Sequence, residues 1–176
     1  MRKLIAMVAA AAVLAGCASV DVERYRAEKP VLDLKRYFDG SIDAWGVFED
    51  RSGAVVKRFT VRIDASWKGD VGTLDEHFAY SDGTTQRRVW TITRLGEGRY
   101  RGTADDVVGE AKGEAAGNAL RWRYVMALPV DGKTYHVDFD DWMYLMDDRV
   151  MLNRSVMSKW GVYLGVVTLS FSRRTP

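Results

Sequence analysis

From Leu32 to Arg174, apolar side chains return at every second position, and each such run stops at a glycine- or aspartate-bearing turn. Phe59, Val61, Ile63, Ala65 and Trp67 alternate with Thr60, Arg62, Asp64 and Ser66. Leu120, Trp122, Tyr124, Met126 and Leu128 alternate with Arg121 and Arg123, and Tyr135, Val137 and Phe139 with His136 and Asp138. A period of two places one set of side chains on one face of a strand. Breaks fall at Asp39-Gly40, Ser52-Gly53, Lys68-Gly69-Asp70, Ser81-Asp82-Gly83, Gly96-Glu97-Gly98, Gly117-Asn118, Asp131-Gly132 and Asp147-Asp148. Gly, Asn and Asp supply the conformations that tight hairpin turns require. No four-turn amphipathic helix competes with this pattern; Val31–Phe38 suits at most a short turn. The expectation is an all-β chain: a single antiparallel up-and-down barrel of about nine or ten strands, with a two-sheet sandwich as the rival. Closure is the economical solution because it leaves no exposed edge.

The N-terminus follows a different rule. Arg2 and Lys3 precede an apolar run from Leu4 to Leu14, which is shorter than the roughly 20 residues a membrane-spanning helix needs. Positive charge, apolar run and then small residues is the pattern of a signal peptide. The run ends in Leu14-Ala15-Gly16-Cys17, which resembles the lipobox of bacterial lipoproteins, and Cys17 is the one cysteine of the chain. The resemblance implies removal of residues 1–16, lipidation of Cys17 and a membrane anchor in the bacterial envelope. Ala18 in place of Asp points to the outer membrane, facing the periplasm. With Cys17 lipidated, no thiol remains for a disulfide or a zinc-thiolate site. Residues 17–30 then form the lipidated Cys and a polar tether, and 31–176 the barrel domain.

Charge excludes one class of partner. The chain carries 26 Lys and Arg against 24 Asp and Glu, and loss of Arg2 and Lys3 leaves the mature protein formally neutral. A neutral balance offers no electrostatic footprint for nucleic acid.

Several strings distributed over the mature chain resemble a family of bacterial lipoproteins known as DUF3833. They include Phe38-Asp39-Gly40, Ala44-Trp45-Gly46, Arg51-Ser52-Gly53, Gly72-Thr73-Leu74-Asp75-Glu76, Tyr80-Ser81-Asp82-Gly83 and Arg88-Val89-Trp90. The run Gly102 to Ala111, Gly117-Asn118-Ala119-Leu120, Asp140-Asp141-Trp142-Met143 and Asn153-Arg154 continue the likeness. The resemblance implies export, lipidation and a lipocalin- or calycin-like barrel. It supplies no reaction, cofactor or protein partner.

No nucleophile elbow, P-loop, dinucleotide fingerprint or zincin motif occurs. His77 and His136 have no second imidazole or thiol nearby in sequence, so no metal site is expected. The informative residues are acidic pairs. If Tyr100, Gly102 and Ala104 face inward on one strand, so does Asp106; if Tyr135, Val137 and Phe139 do, so does Asp141. A carboxylate inside a barrel is costly unless paired. Arg88 shares parity with Trp90 and Ile92, and Arg154 with Leu152 and Val156. An internal network of Arg88, Asp106, Asp141 and Arg154 is therefore expected. It would lock the register, orient a ligand head group, or act as a paired-carboxylate catalyst through Asp106 and Asp141.

Two further features bear on an interior ligand. Gly109, Ala111, Gly113, Ala115 and Gly117, read as a strand, leave one face without bulk, and something must occupy that volume. The occupant is either the tryptophans of facing strands or a ligand. Six tryptophans, Trp45, Trp67, Trp90, Trp122, Trp142 and Trp160, are read onto six different strands, as core or as the lining of an apolar cavity. The leading expectation is a non-enzymatic, lipid-anchored barrel without a cofactor. Its ligand would be a fatty acid or other apolar small molecule, near Arg88, Trp90, Asp106, Gly109, Gly113, Trp122, Tyr124, Asp141 and Arg154. The rivals are a solid-cored envelope scaffold and a lipid- or envelope-modifying enzyme.

Overall fold

The computed structural model describes residues 20–174; the signal segment and Cys17 lie outside the described residues. Ten antiparallel strands close into one barrel. They are β1 (Gly40–Asp50), β2 (Val55–Lys68), β3 (Val71–Tyr80), β4 (Thr85–Gly96), β5 (Arg99–Thr103), β6 (Ala111–Ala116), β7 (Ala119–Val130), β8 (Lys133–Leu145), β9 (Val150–Lys159) and β10 (Val162–Arg173). Every strand pairs with its sequence neighbours, and β1 pairs with β10 to close the ring. The up-and-down barrel is therefore the architecture, and the sandwich is excluded.

The alternation decides which face is which. Val61 and Ile63 of β2, Leu120 and Trp122 of β7, and Val137 and Phe139 of β8 are buried inside. Arg62, Asp64, Arg99, Arg101, Lys112, Glu114 and Arg123 stand outside. An apolar lumen within a charged wall is the reverse of a membrane-spanning barrel, whose outer band is apolar.

Eight of the anticipated turns fall at strand ends, and two connections differ from expectation. Trp160 and Gly161 form the β9–β10 turn, both with positive φ (52° and 77°). Trp160 is therefore not on a strand but 89% exposed at a hairpin tip. The stretch expected as one strand from Gly109 to Gly117 is strand only at β6. Gly109 sits in the β5–β6 connection with φ 72° and open space around it. Gly117 turns the chain between β6 and β7, also at positive φ.

One end of the barrel is closed. Asp33 caps a single helical turn, α1 (Leu34–Tyr37), by accepting from the backbone N–H of Lys35 and Arg36 at 2.9 and 3.2 Å. Leu32, Leu34, Tyr37 and Phe38 from this segment are all buried in the lumen. The Trp67 indole donates to the Phe38 carbonyl at 2.7 Å, and the Tyr37 hydroxyl to that of Arg149 at 2.9 Å. A ten-stranded barrel is wider than its own side chains fill comfortably, and this plug supplies the missing volume at one end only.

Residues 22–30 are not a free spacer. A 3-10 turn over Val22–Tyr25 buries Val22 against Ala116 and Ala119, and Arg121 Nη1 donates to the Val20 carbonyl at 3.5 Å. The Tyr25 ring meets Trp142 and Tyr144 edge-on. The polar composition of this stretch hid two apolar anchors, Val22 and Tyr25, which suffice to dock it on the outer wall of β6–β8.

A chamber floored by charge

The lumen divides at Trp90 and Phe171. Below them, toward α1, the core is nearly solid, with a residual hollow of about 60 Å³ that Asp141 borders. Above them, toward the end that lacks a plug, lies a chamber of about 300 Å³. A water molecule claims about 30 Å³, so the chamber rules out a uniformly solid barrel. Its wall is aromatic and aliphatic. Phe78 stacks with Tyr80 and Tyr124 with Phe139, at centroid distances of 6.0 and 5.0 Å. Another hollow, about 550 Å³, is a trough on the outer wall beside Trp45, Leu152 and Thr168.

Charge gathers on the chamber floor. Arg88 projects inward from β4, as its parity with Trp90 requires. Its Nε and Nη2 grip Asp106 at 2.8–3.0 Å, and its Nη2 also reaches Met126 Sδ at 3.4 Å. The guanidinium lies 5.3 Å from the centroid of Phe78. Asp106 arrives differently from expectation. β5 ends at Thr103, and Asp106 belongs to a turn pinned against β7 by Ala127 N–H donating to its carbonyl at 2.8 Å. The Val107–Met126 bridge holds the same loop.

Asp141 is 7% exposed on the inner face of β8. It accepts from the Ser155 hydroxyl and, at 3.3 Å, from the Tyr124 hydroxyl. Burial pushes its pKa up to about 7, against the lowering effect of those two hydrogen bonds. Burial likewise holds the Tyr124 phenol well above its ordinary value.

One member of this group escaped the sequence reading. Glu76 faces inward on β3, directly across from Arg88 in the β3–β4 register, with its carboxylate 3.7 Å from Arg88 Nη1. Burial raises its pKa from 4.5 to about 7; Arg88 opposes that rise, while Asp106 and Asp141 add to it. The signal was present in Gly72, Leu74, Glu76, Phe78 and Tyr80, an inward series with one carboxylate in it. Burial acts on Arg88 in the opposite sense and lowers its pKa, but Asp106 and Glu76 outweigh it and hold the guanidinium charged.

Three sequence-derived candidates do not belong to the site. Arg154 is on the outer face of β9, because Met151, Asn153, Ser155 and Met157 take the inner one. Leu152 and Val156 suggested the opposite parity, but Leu152 is 41% exposed on the outer trough. Gly109 is a solvent-exposed turn. Gly113 does face inward, but a Cβ there would lie 2.3 Å from Trp122 Cε3. The indole of Trp122 fills the bare wall, so that wall admits no ligand. Arg88, Trp90 and Tyr124 line the chamber, Trp122 lines only the lower hollow, and Trp45 and Trp142 face outward. Among the described residues, no group of three His, Cys, Asp or Glu side chains is placed to hold a metal ion.

Comparison with known proteins adds fold and family. The S-type phycobiliprotein lyase CPES from Guillardia theta superposes with a TM-score of 0.63, covering 89% of this chain and 99% of that one at 6% identity. A protein of unknown function from the DUF3598 family of Nostoc punctiforme gives 0.59, at 13% identity over 84% of this chain and 51% of that one. No curated protein matches the sequence. A family model described as a protein of unknown function, DUF3833, matches residues 11–173.

Proposed function

Because the chain belongs to the DUF3833 family, which is described without a function, we propose its role from the barrel itself: a non-enzymatic binding protein that holds an apolar small molecule in the chamber above Arg88 and Glu76. The observation that carries this reading is the asymmetry of the lumen. The end occupied by α1 and Phe38 is packed, and the opposite end keeps about 300 Å³ of aromatic-walled space. Ligand pockets are mostly apolar with a few placed polar groups, and Arg88, Glu76 and Ser155 are such groups here.

Binding rather than catalysis is favoured because each candidate carboxylate is engaged by a different partner: Asp106 by Arg88, Asp141 by Ser155 and Tyr124. The resemblance of Leu14-Ala15-Gly16-Cys17 to a lipobox supports a lipid anchor in the bacterial envelope as part of this proposal, and Ala18 supports the outer membrane. The test is organic extraction and mass spectrometry of the full chain purified from its own membranes, beside the variant Val167→Trp. Val167 lines the chamber, and an indole there intrudes on the space a guest would occupy. The expected result is one small-molecule species recovered with the native chain and lost from the variant. Equal recovery from both, or none from either, overturns the reading.

A further inference from the structure

The chamber floor also specifies the polar end of whatever it holds. Resting on the binding role just described, we propose that the ligand presents a nitrogen-centred hydrogen-bond donor, a protonated amine on an apolar or aromatic body, to the carboxylate of Glu76, and does not present a carboxylate to Arg88.

A guanidinium recognises a carboxylate through a fork of paired N–H groups. The Nε/Nη2 fork of Arg88 is already closed on Asp106 at 2.8–3.0 Å, and its Nη1 faces Glu76. The other cation lining the chamber, Lys57, is paired with Asp82 at 2.9 Å. A fatty-acid carboxylate would have to displace Asp106 or crowd an anion beside the three carboxyl groups of Glu76, Asp106 and Asp141. Like charges in a confined site oppose each other's ionisation, so the interior is built against an acidic head group.

Glu76 has the opposite character. It is 13% exposed by its side chain and borders both the chamber and the lower hollow. Arg88 Nη1 stands 3.7 Å away, beyond hydrogen-bond range, and the Trp90 side chain hydrogen-bonds the carboxylate; a carboxylate offers about four acceptor sites, so capacity remains for a donor arriving from the chamber. The walls agree with a cation. The faces of Phe78, Tyr80, Tyr124 and Phe139 carry negative quadrupole, and ring faces attract ammonium groups. Arg88 over Phe78 already uses that attraction.

The charged and titratable groups around Glu76 are Arg88 on β4, Asp106 in the β5–β6 loop, Asp141 on β8, Tyr124 on β7 and Tyr80 on its own strand. An incoming ammonium would favour the ionised form of Glu76, so amine binding should strengthen as pH rises through its titration.

Three probes with one ring system separate the possibilities: 1-naphthylmethylamine, 1-naphthalenemethanol and 1-naphthoate. Each is titrated calorimetrically into the full chain held in phospholipid nanodiscs, with empty nanodiscs subtracted. The amine is expected to bind about tenfold or more tighter than the alcohol, with the acid weakest. The gap between amine and acid should widen from about pH 5 to about pH 8. Glu76→Gln should bring the amine to within about threefold of the alcohol and leave the alcohol unchanged. Should that variant not fold, the pH profile of the native chain decides alone. Naphthoate binding as tightly as the amine overturns the head-group assignment, as does a preference insensitive to pH. Equal binding of all three, abolished in Val167→Trp, leaves the chamber standing and removes only the assignment. No binding of any probe overturns both.

Discussion

At the scale of single residues, the interior is governed by the cost of burying charge. One guanidinium, Arg88, stands among Glu76, Asp106 and Asp141, and the two deepest carboxylates respond by holding their protons to about pH 7. The consequence for stability has a definite sign. Below about 4.5, the ordinary value for Glu76, folded and unfolded chains both carry its proton, and it contributes nothing. Between 4.5 and about 7 the unfolded chain releases that proton first, so stability falls as pH rises, and above that window the loss is constant. Each pH unit is worth at most about 1.4 kcal/mol for one group. Glu76→Gln cannot ionise and escapes this loss. The variant should gain about 1–3 kcal/mol on the native chain between about pH 5 and pH 8, read by urea denaturation at each pH. A constant difference between the two proteins across that range would show that burial does not control this carboxyl.

At the scale of elements, small residues in the wall serve rings on the next strand rather than a guest. Gly46 lies under Phe59, Gly72 under Trp67 and Gly113 under Trp122, each pair in direct register across two strands. Gly102 lies under Trp122 as well. A ring covering a cross-strand glycine recovers the packing that the missing side chain forfeits. Of the two occupants the sequence allowed for the bare wall, facing tryptophans or a ligand, Gly113 therefore has the first: bareness in one strand is answered by bulk in its neighbour, and pairing is invisible in a single strand. Gly113→Ala should therefore overpack Trp122 and cost about 1–3 kcal/mol. The measurement is chemical denaturation, and unchanged stability would mean that the indole moves aside freely. The same scale accounts for Glu76. Its parity was legible, but its pairing with Arg88 needed the β3–β4 register.

At the scale of the molecule, the two ends of the barrel have opposite characters. The N-terminal segment docks beside Gly117 and fills the closed end with Leu34 and Phe38. The β1–β2, β3–β4, β5–β6, β7–β8 and β9–β10 connections lie at the open one. Strands such as β7, with 12 residues, separate the two by about 30–40 Å. The open rim carries exposed Val55, Val130, Trp160 and Val162, with Lys159 lying 4.9 Å from the Trp160 ring centroid. If Cys17 is lipidated as its lipobox implies, only residues 18 and 19 separate it from Val20, which lies against Arg121. The closed end then abuts the anchoring membrane and the mouth points away. Nitroxide-labelled lipid in reconstituted vesicles should leave the Trp160 emission unquenched, read as the signal lost in Trp160→Phe. Strong quenching of that component would reverse the orientation.

The sequence by itself determined the strand class, most turn positions, the inward faces of β2, β7 and β8, and the presence of Arg88 and Asp141 inside, because period-two alternation is a local property. Family membership was also legible, since it rests on short strings that need no fold. Only the tertiary structure decided which ring covers which glycine, that Arg154 faces outward, and that Glu76 completes the charged floor. It also decided where the empty space lies. That outcome depends on the circumference of a ten-stranded ring and on one short segment, Leu32–Phe38, entering it from one end, and both arise from contacts between residues far apart in the chain.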